Sequence, residues 1–270
     1  MNSEVSDFYR RMLDASAEKS APSPLISEYD QALLAAAPNG MAVSSFGCGD
    51  PLAFAEAPLG GTVLDLGCGA GLDLIAAARK VGPDGRVIGV DMMPEMIARA
   101  RENAARAGLS TIDVVEGMIE DAPVESGSVD LIVSNCVVNL SGDKPAVFRE
   151  IARLLRPGGG FAIADLCADD LPEWINAHKD LYAACLSSVS SEAEYIELAR
   201  GAGLIDVRIA DRMVYDAGQV EQLIRDELPV ALDAIAARIG CDADDAAPMI
   251  GAALAGSVRS VKLVGRKPGP

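Results

Sequence analysis

No apolar run in this sequence approaches the roughly 18 residues that span a bilayer, which excludes a membrane-spanning helix and leaves a chain expected to be soluble. Histidine is almost missing. His178 stands alone among 270 residues, in a stretch with helical periodicity, where it reads as a helix-surface residue rather than a general base. Positive charge is short as well, with 23 Lys and Arg against 40 Asp and Glu and a net charge of −17. A polyphosphate would be repelled across most of such a surface. Arg259, Lys262, Arg266 and Lys267 are dispersed near the C-terminus and form no basic stripe, so nucleic acid is not an expected partner. Met1 to Asp7 carries neither the basic flank nor the apolar stretch of a secretory signal. The expected compartment is therefore the cytoplasm, with no membrane partner, and the six cysteines are expected as free thiols.

What is present is a regular alternation of strand and helix. Residues 62–66 read as a short apolar strand, and the glycines after them open a helix over 72–81. Pro83-Asp84-Gly85 marks a turn, 86–90 a second strand, and Pro94 the first position of a helix that Gly108 ends. Strands follow at 112–115 and 129–133, then a helix over 145–155 stopped by Pro157-Gly158-Gly159, then a fifth strand at 161–164. This spacing implies an α/β fold with a parallel sheet covered on both faces. Beyond Asp165, helices are expected over 171–186 and 191–201, the second with Ser191 and Glu194 at capping-box spacing. A strand at 207–209, an Ala-rich lid or packing layer over 215–255 and a last strand at 260–264 complete the pattern. The expected organisation is a helical cap over 1–45, a core over 46–210 and a C-terminal helical segment with the final strand over 211–270.

The turn after the first strand, Asp65-Leu66-Gly67-Cys68-Gly69-Ala70-Gly71, lets backbone approach a ligand closely and aims free amides at it. A dinucleotide fingerprint needs its third glycine one residue later than Gly71, where Leu72 stands, so NAD is the weaker reading. The spacing resembles the first motif of class I S-adenosylmethionine methyltransferases, in which an acid matching Asp65 lies near the methionine amino group. Asp91 ends the second strand, where an acid can accept both ribose hydroxyls. Met118-Ile119-Glu120 falls where that family bounds the adenine, and Leu155-Arg156-Pro157-Gly158-Gly159 resembles its turn before the fifth strand. Gly67, Gly69, Gly71, Asp65, Asp91, Met92, Ile119, Glu120 and Asn135 are the residues expected around S-adenosylmethionine.

In an open parallel sheet, ligands bind outside the carboxyl ends of the strands where the strand order reverses. Cys136 ends the fourth strand, which is expected beside the first, and Cys167 falls just past the fifth on the same rim. Cys48 and Cys185 belong to segments able to fold over it, and thiolates gathered there would hold a soft centre. Cys68, inside the glycine turn, reads as a packing residue. The strings Ser45-Phe46-Gly47-Cys48-Gly49-Asp50-Pro51, Val81-Gly82-Pro83-Asp84-Gly85, Ser134-Asn135-Cys136-Val137-Val138-Asn139-Leu140-Ser141-Gly142-Asp143-Lys144 and Cys185-Leu186-Ser187 closely resemble the arsenite methyltransferase family, within a match running from about Ser44 to Ile209.

That resemblance implies a Rossmann-like class I methyltransferase with a mostly parallel twisted sheet, helices on both faces and an antiparallel last strand. It implies arsenite or its thiol conjugates as acceptor, and thioredoxin or glutathione as thiol reductant. Cys136 and Cys185 match the family's arsenic ligands, and Cys48 matches the cysteine needed for the first methylation. These three are the expected catalytic and As(III)-binding set. The chain departs from the family in lacking a match to its upstream Lys-Thr-x-Ala-Cys segment, in Ser188-Val189 where Gly-Ala is common, in Phe46 where many members carry tyrosine, and in having no match to the cysteine-rich C-terminal extension. Two other functions fit the residues alone: a methyltransferase acting on a carbon, nitrogen or oxygen nucleophile with the cysteines as lining, and a binding module without turnover.

Overall fold

Strand β1, Thr62–Leu66, is buried at four of its five positions, as a strand covered on both faces must be. Gly71 caps the next helix, α1 (Leu72–Val81), with a left-handed backbone, and Arg79 and Lys80 close it where cations complement the helix dipole. Then come β2 (Arg86–Asp91), α2 (Pro94–Arg106), β3 (Ile112–Glu116) and β4 (Val129–Asn135). Helix α3 (Lys144–Leu154) starts where the Asp143 side chain accepts from the Ala146 N–H, and β5 (Leu155–Ala168) follows without a gap. Helix α4 (Glu192–Gly201) starts at Ser191, whose hydroxyl accepts from the Glu194 N–H, as its capping-box spacing predicts. The chain ends with β6 (Ile205–Val214), α5 (Ala217–Glu227), α6 (Leu232–Ile239), α7 (Ala243–Leu254) and β7 (Val258–Arg266).

The computed structural model describes residues 6, 7, 9–11, 29, 34, 47–169, 171, 189–227 and 232–270. Most of the expected cap over 1–45 and of the expected helix over 171–186 lies outside these residues, as do Phe46, Trp174, His178 and Cys185. Among the described residues, no helix is long and apolar enough to cross a membrane.

The seven strands form one sheet in the order β3-β2-β1-β4-β5-β7-β6. β1 pairs in parallel with both β2 and β4, so the strand order reverses between β1 and β4 and a crevice opens at their carboxyl ends. β7 inserts antiparallel between β5 and β6, the orientation expected of the last strand. A single buried cluster joins Ala164 and Leu166 of β5 to Val220, Leu223 and Ile224 of α5, Ile235 of α6 and Ile250 of α7, and it contains Cys48 and Cys136. The Ala-rich segment is thus three helices that share a core with the two cysteines.

Two expectations need correction. Pro157-Gly158-Gly159 does not precede the fifth strand but lies within it. The bulge there opposes Val129 to Leu155 and Leu131 to Gly160, while Gly158, at φ +79, and Gly159 bond to the chain's last residues, Lys267 N–H donating to Gly159 C=O at 2.8 Å. Cys167 likewise lies inside β5 and is fully buried. Burial in first place, and the neighbouring Asp165 charge in second, push its thiol well above the ordinary value.

Candidate active site

The crevice between β1 and β4 is floored by the glycine turn. Gly67 N–H and Cys68 N–H both donate to the Val90 carbonyl, at 2.8 and 3.0 Å, which fixes the turn to the end of β2. Gly67 has φ +79, and a Cβ there would lie 2.6 Å from Val137, so the position takes glycine for both backbone and space. The cleft above it measures about 1010 Å³ counted out to open solvent and is lined by Gly67, Gly69, Gly71, Asp91, Met92, Ile119, Glu120, Asn135 and Cys136 among others. Eight of the nine residues expected around the cofactor therefore share one cleft. Asp65 is the exception. It lies beneath the turn, 2% exposed.

Asp91 spans the floor. One carboxylate oxygen accepts from Gly69 N–H and the other from Met93 N–H, each at 2.9 Å, which leaves each a further acceptor direction. Burial pushes its carboxyl above the ordinary value, and these backbone donors oppose the rise. Burial also raises Asp65 well above the ordinary carboxylate range, helped by the charges of Asp73 and Asp91. Asp65 Oδ1 and Glu120 Oε2 are buried acceptors without a hydrogen-bond partner among the described residues. Buried polar atoms of this kind call for donors, and at Glu120, which lines the cleft, an amino group of a bound cofactor would supply one. Glycine cradle, paired acid and this orphaned acceptor together fit S-adenosylmethionine.

Asp73 and Tyr29, which sequence reasoning did not single out, join the site. Asp73, in the first turn of α1, lines the cleft. Burial pushes its carboxyl up to about 7 against the hydrogen bonds from Asn135 and Tyr29. Tyr29 OH donates to Asp73 at 2.9 Å and is fully enclosed. An acid in a first helical turn reads locally as a dipole partner, and nothing near Tyr29 in sequence marks a partner 106 positions away.

The sulfur side is built from the end of β4. Cys136 follows that strand with φ +54, a left-handed conformation that costs an L-residue roughly 1–2 kcal/mol. The turn aims the thiol into the crevice wall. Cys48 Sγ, Cys136 Sγ and a carboxylate oxygen of Asp165 all lie within 4.8 Å of one another, and all three residues are buried. Asp165 is already occupied, accepting from Tyr195 OH at 2.7 Å, Asn139 Nδ2 at 2.9 Å and Leu166 N–H at 2.8 Å. It braces the turn after β4 through Asn139 and has little capacity left to ligate. Asn139 carries the brace onward, since its Oδ1 accepts from Ser190 N–H. Cys68 is buried in the turn, with its thiol pushed well up by burial, as a packing cysteine should be.

A family model described as methyltransferase domain matches residues 59–218, more than half of the chain. An arsenic(III) S-adenosylmethionine methyltransferase from Chlamydomonas reinhardtii has a crystal structure that superposes with a TM-score of 0.67 at 30% identity, covering 93% of this chain and 75% of that one. The chain belongs to the arsenite methyltransferase family of class I methyltransferases. The arsenite methyltransferase of Halobacterium salinarum is 43% identical over 167 residues, and that of Aquipseudomonas alcaligenes 40% identical over 150 residues. These stretches are 62% and 53% of this chain, and 43% of each relative, so the chain spans less than half the length of those two arsenite methyltransferases. The cleft opens along the ends of β1 and β2, and the thiol pair stands on its β4 side.

Proposed function

We propose that this arsenite methyltransferase family member transfers a methyl group from S-adenosylmethionine to trivalent arsenic held by Cys48, Cys136 and Cys185. The observation that carries the reading is the pair of buried thiols, Cys48 and Cys136, within 4.8 Å of each other where the cleft meets β4. Two bonds from one soft centre, at about 2.3 Å each as for a zinc thiolate, reach almost that far, so small movements close both sulfurs on one atom.

Support for Cys185 comes from its flanks. Leu171 and Val189 both pack against the cluster that contains Cys48 and Cys136, and Ser190 accepts through its carbonyl from Ala168 N–H. Cys185 precedes Ser190 by five positions, a tether of roughly 18 Å at full extension.

S-adenosylmethionine supplies, when bound, an electrophilic methyl on a sulfonium. The thiols capture arsenous acid by exchange, each As–S bond replacing an As–O bond while the thiol proton leaves with the hydroxide as water. The cysteines then turn the arsenic lone pair toward the cleft. Attack forms an As–C bond as the methyl–sulfonium bond breaks, and no proton needs to be removed, in keeping with a site without histidine among its described residues. Alignment carries the rate: holding both partners at attack distance can remove roughly 7 to 11 kcal/mol of barrier. Donation of the lone pair leaves arsenic formally two electrons more oxidised, and a thiol reductant, thioredoxin or glutathione, returns them. Asp65, Asp91, Met92, Ile119, Glu120 and the glycines 67, 69 and 71 hold the donor in this scheme, and we place the protein in the cytoplasm.

The test is incubation of the protein with arsenite, thiol and labelled S-adenosylmethionine, followed by detection of methylated arsenic. Wild type forms it. Cys48→Ser, Cys136→Ser and Cys185→Ser do not, while each still binds S-adenosylhomocysteine. Methylarsenite formation that survives in both Cys136→Ser and Cys185→Ser defeats the assignment.

A further inference from the structure

We infer that Asn135 is a positioning residue that couples the donor cleft to the arsenic thiols, making occupancy of one tighten the other. The inference rests on the arsenite reading above and adds to it a link between its two halves.

Asn135 ends β4, immediately before Cys136, and its side chain clamps the Cys48 loop at two points. Its Oδ1 accepts from Cys48 N–H at 2.9 Å, and its Nδ2 donates to Gly49 C=O at 2.6 Å. These partners settle the amide's orientation, because a flip would set oxygen against oxygen at Gly49 and nitrogen against N–H at Cys48. Gly47 is part of the same fit, since a Cβ there would lie 2.6 Å from Asn135 Nδ2. On its other side the amide faces the donor pocket. Nδ2 also lies 2.6 Å from Tyr29 OH and 3.0 Å from Asp73 Oδ2, and both Asp73 and Asn135 line the cleft whereas Cys48 does not.

One amide nitrogen carries two hydrogens, and here three acceptors stand within reach: Gly49 C=O, Tyr29 OH and Asp73. They cannot all be fully served. A donor that engages Asp73 with its own N–H groups takes that carboxylate out of the competition, and the amide hydrogens then commit to Gly49 and Tyr29. The Cys48 backbone is held more firmly beside Cys136, and the thiol pair closes on arsenic with less ordering left to do. By reciprocity, captured arsenic must tighten the donor by the same factor.

The experiment measures arsenite binding to the full chain by thiol titration, with and without saturating S-adenosylhomocysteine, which occupies the donor pocket without turnover. In wild type the arsenite dissociation constant is expected to fall by a factor in the usual allosteric range, about 5 to 150. For Asn135→Ala, with S-adenosylhomocysteine raised until it saturates the variant, the two arsenite constants are expected to be equal. Gly47→Ala, which presses on the amide from the opposite side, should lose the coupling as well, so a folding defect in either variant does not rescue the idea. A purely structural role would weaken both arsenite constants in parallel and leave their ratio intact; that ratio surviving in both variants, or being absent from wild type, overturns the inference. A wild type that binds S-adenosylhomocysteine but no arsenite overturns the proposed acceptor, and the coupling with it.

Discussion

At the residue scale, two buried groups hold conformations or charges that the unfolded chain would not adopt. Cys136 sits at φ +54, where relief of backbone strain by glycine is worth roughly 1–2 kcal/mol, whereas deleting a buried methyl costs about 0.8 kcal/mol. The first effect is the larger. Cys136→Gly should therefore match or exceed Cys136→Ala in denaturant midpoint, and a clear deficit for the glycine variant would show that the turn is unstrained. Asp73 is held up to about 7 by burial, so the fold favours its neutral form. For an acid raised in this way, the stabilising contribution is complete below the ordinary value of 3.8 and is lost as pH rises through about 7. Melting temperature of the ligand-free protein should fall from about pH 4 to about pH 7 and level off above that. The shift produced by saturating S-adenosylmethionine, whose ammonium can pair with the ionised acid, should grow over the same range. Thermal scans of wild type and Asp73→Asn check this, and an equal fall in both assigns the pH dependence elsewhere.

At the scale of elements, what the sequence made legible and what it hid follow from the range of the forces involved. The helix over 72–81 was readable because a glycine turn opens it and the turn at Pro83-Asp84-Gly85 follows it, and both signals are local. The start of α4 was readable for the same reason, through Ser191. The pairing of Cys48 with Cys136 was an expectation drawn from resemblance, since their meeting depends on a contact spanning 87 positions from Cys48 to Asn135. Tyr29 and Asp73 were missed because their roles exist only through partners distant in sequence. The β5 strand was misjudged at its start because pairing of Lys267 with Gly159 turns an apparent stop into an irregular strand. The role of 215–255 was open between lid and packing layer, and the buried cluster now makes a testable statement about it. Ile224 of α5 is fully buried in the cluster that holds both cysteines, so Ile224→Ala should lower unfolding free energy by about 2 to 5 kcal/mol and weaken arsenite capture as well. A loss of stability with arsenite capture unchanged would mean that the helices cover the site without supporting it.

For the whole molecule, charge sets how the two proposed reactants arrive. The chain carries −17, and the cleft itself is lined by Asp73, Asp91 and Glu120, so its field attracts cations and is indifferent to neutral solutes. S-adenosylmethionine brings a sulfonium and an ammonium against one carboxylate, S-adenosylhomocysteine lacks the sulfonium charge, and arsenous acid near neutral pH is uncharged. Raising ionic strength from about 0.01 M to about 0.15 M shortens the screening length from roughly 30 Å to roughly 8 Å, which is less than the width of a domain. Stopped-flow association of S-adenosylmethionine should therefore slow as salt is added, that of S-adenosylhomocysteine should slow less, and arsenite capture should hardly respond. The order among the three matters more than any single rate, because salt effects on folding or viscosity would act on all three alike. Equal salt dependence for the charged donor and the neutral metalloid would mean that the acidic surface plays no part in recruitment, and that its charge serves only to keep the molecules apart in solution.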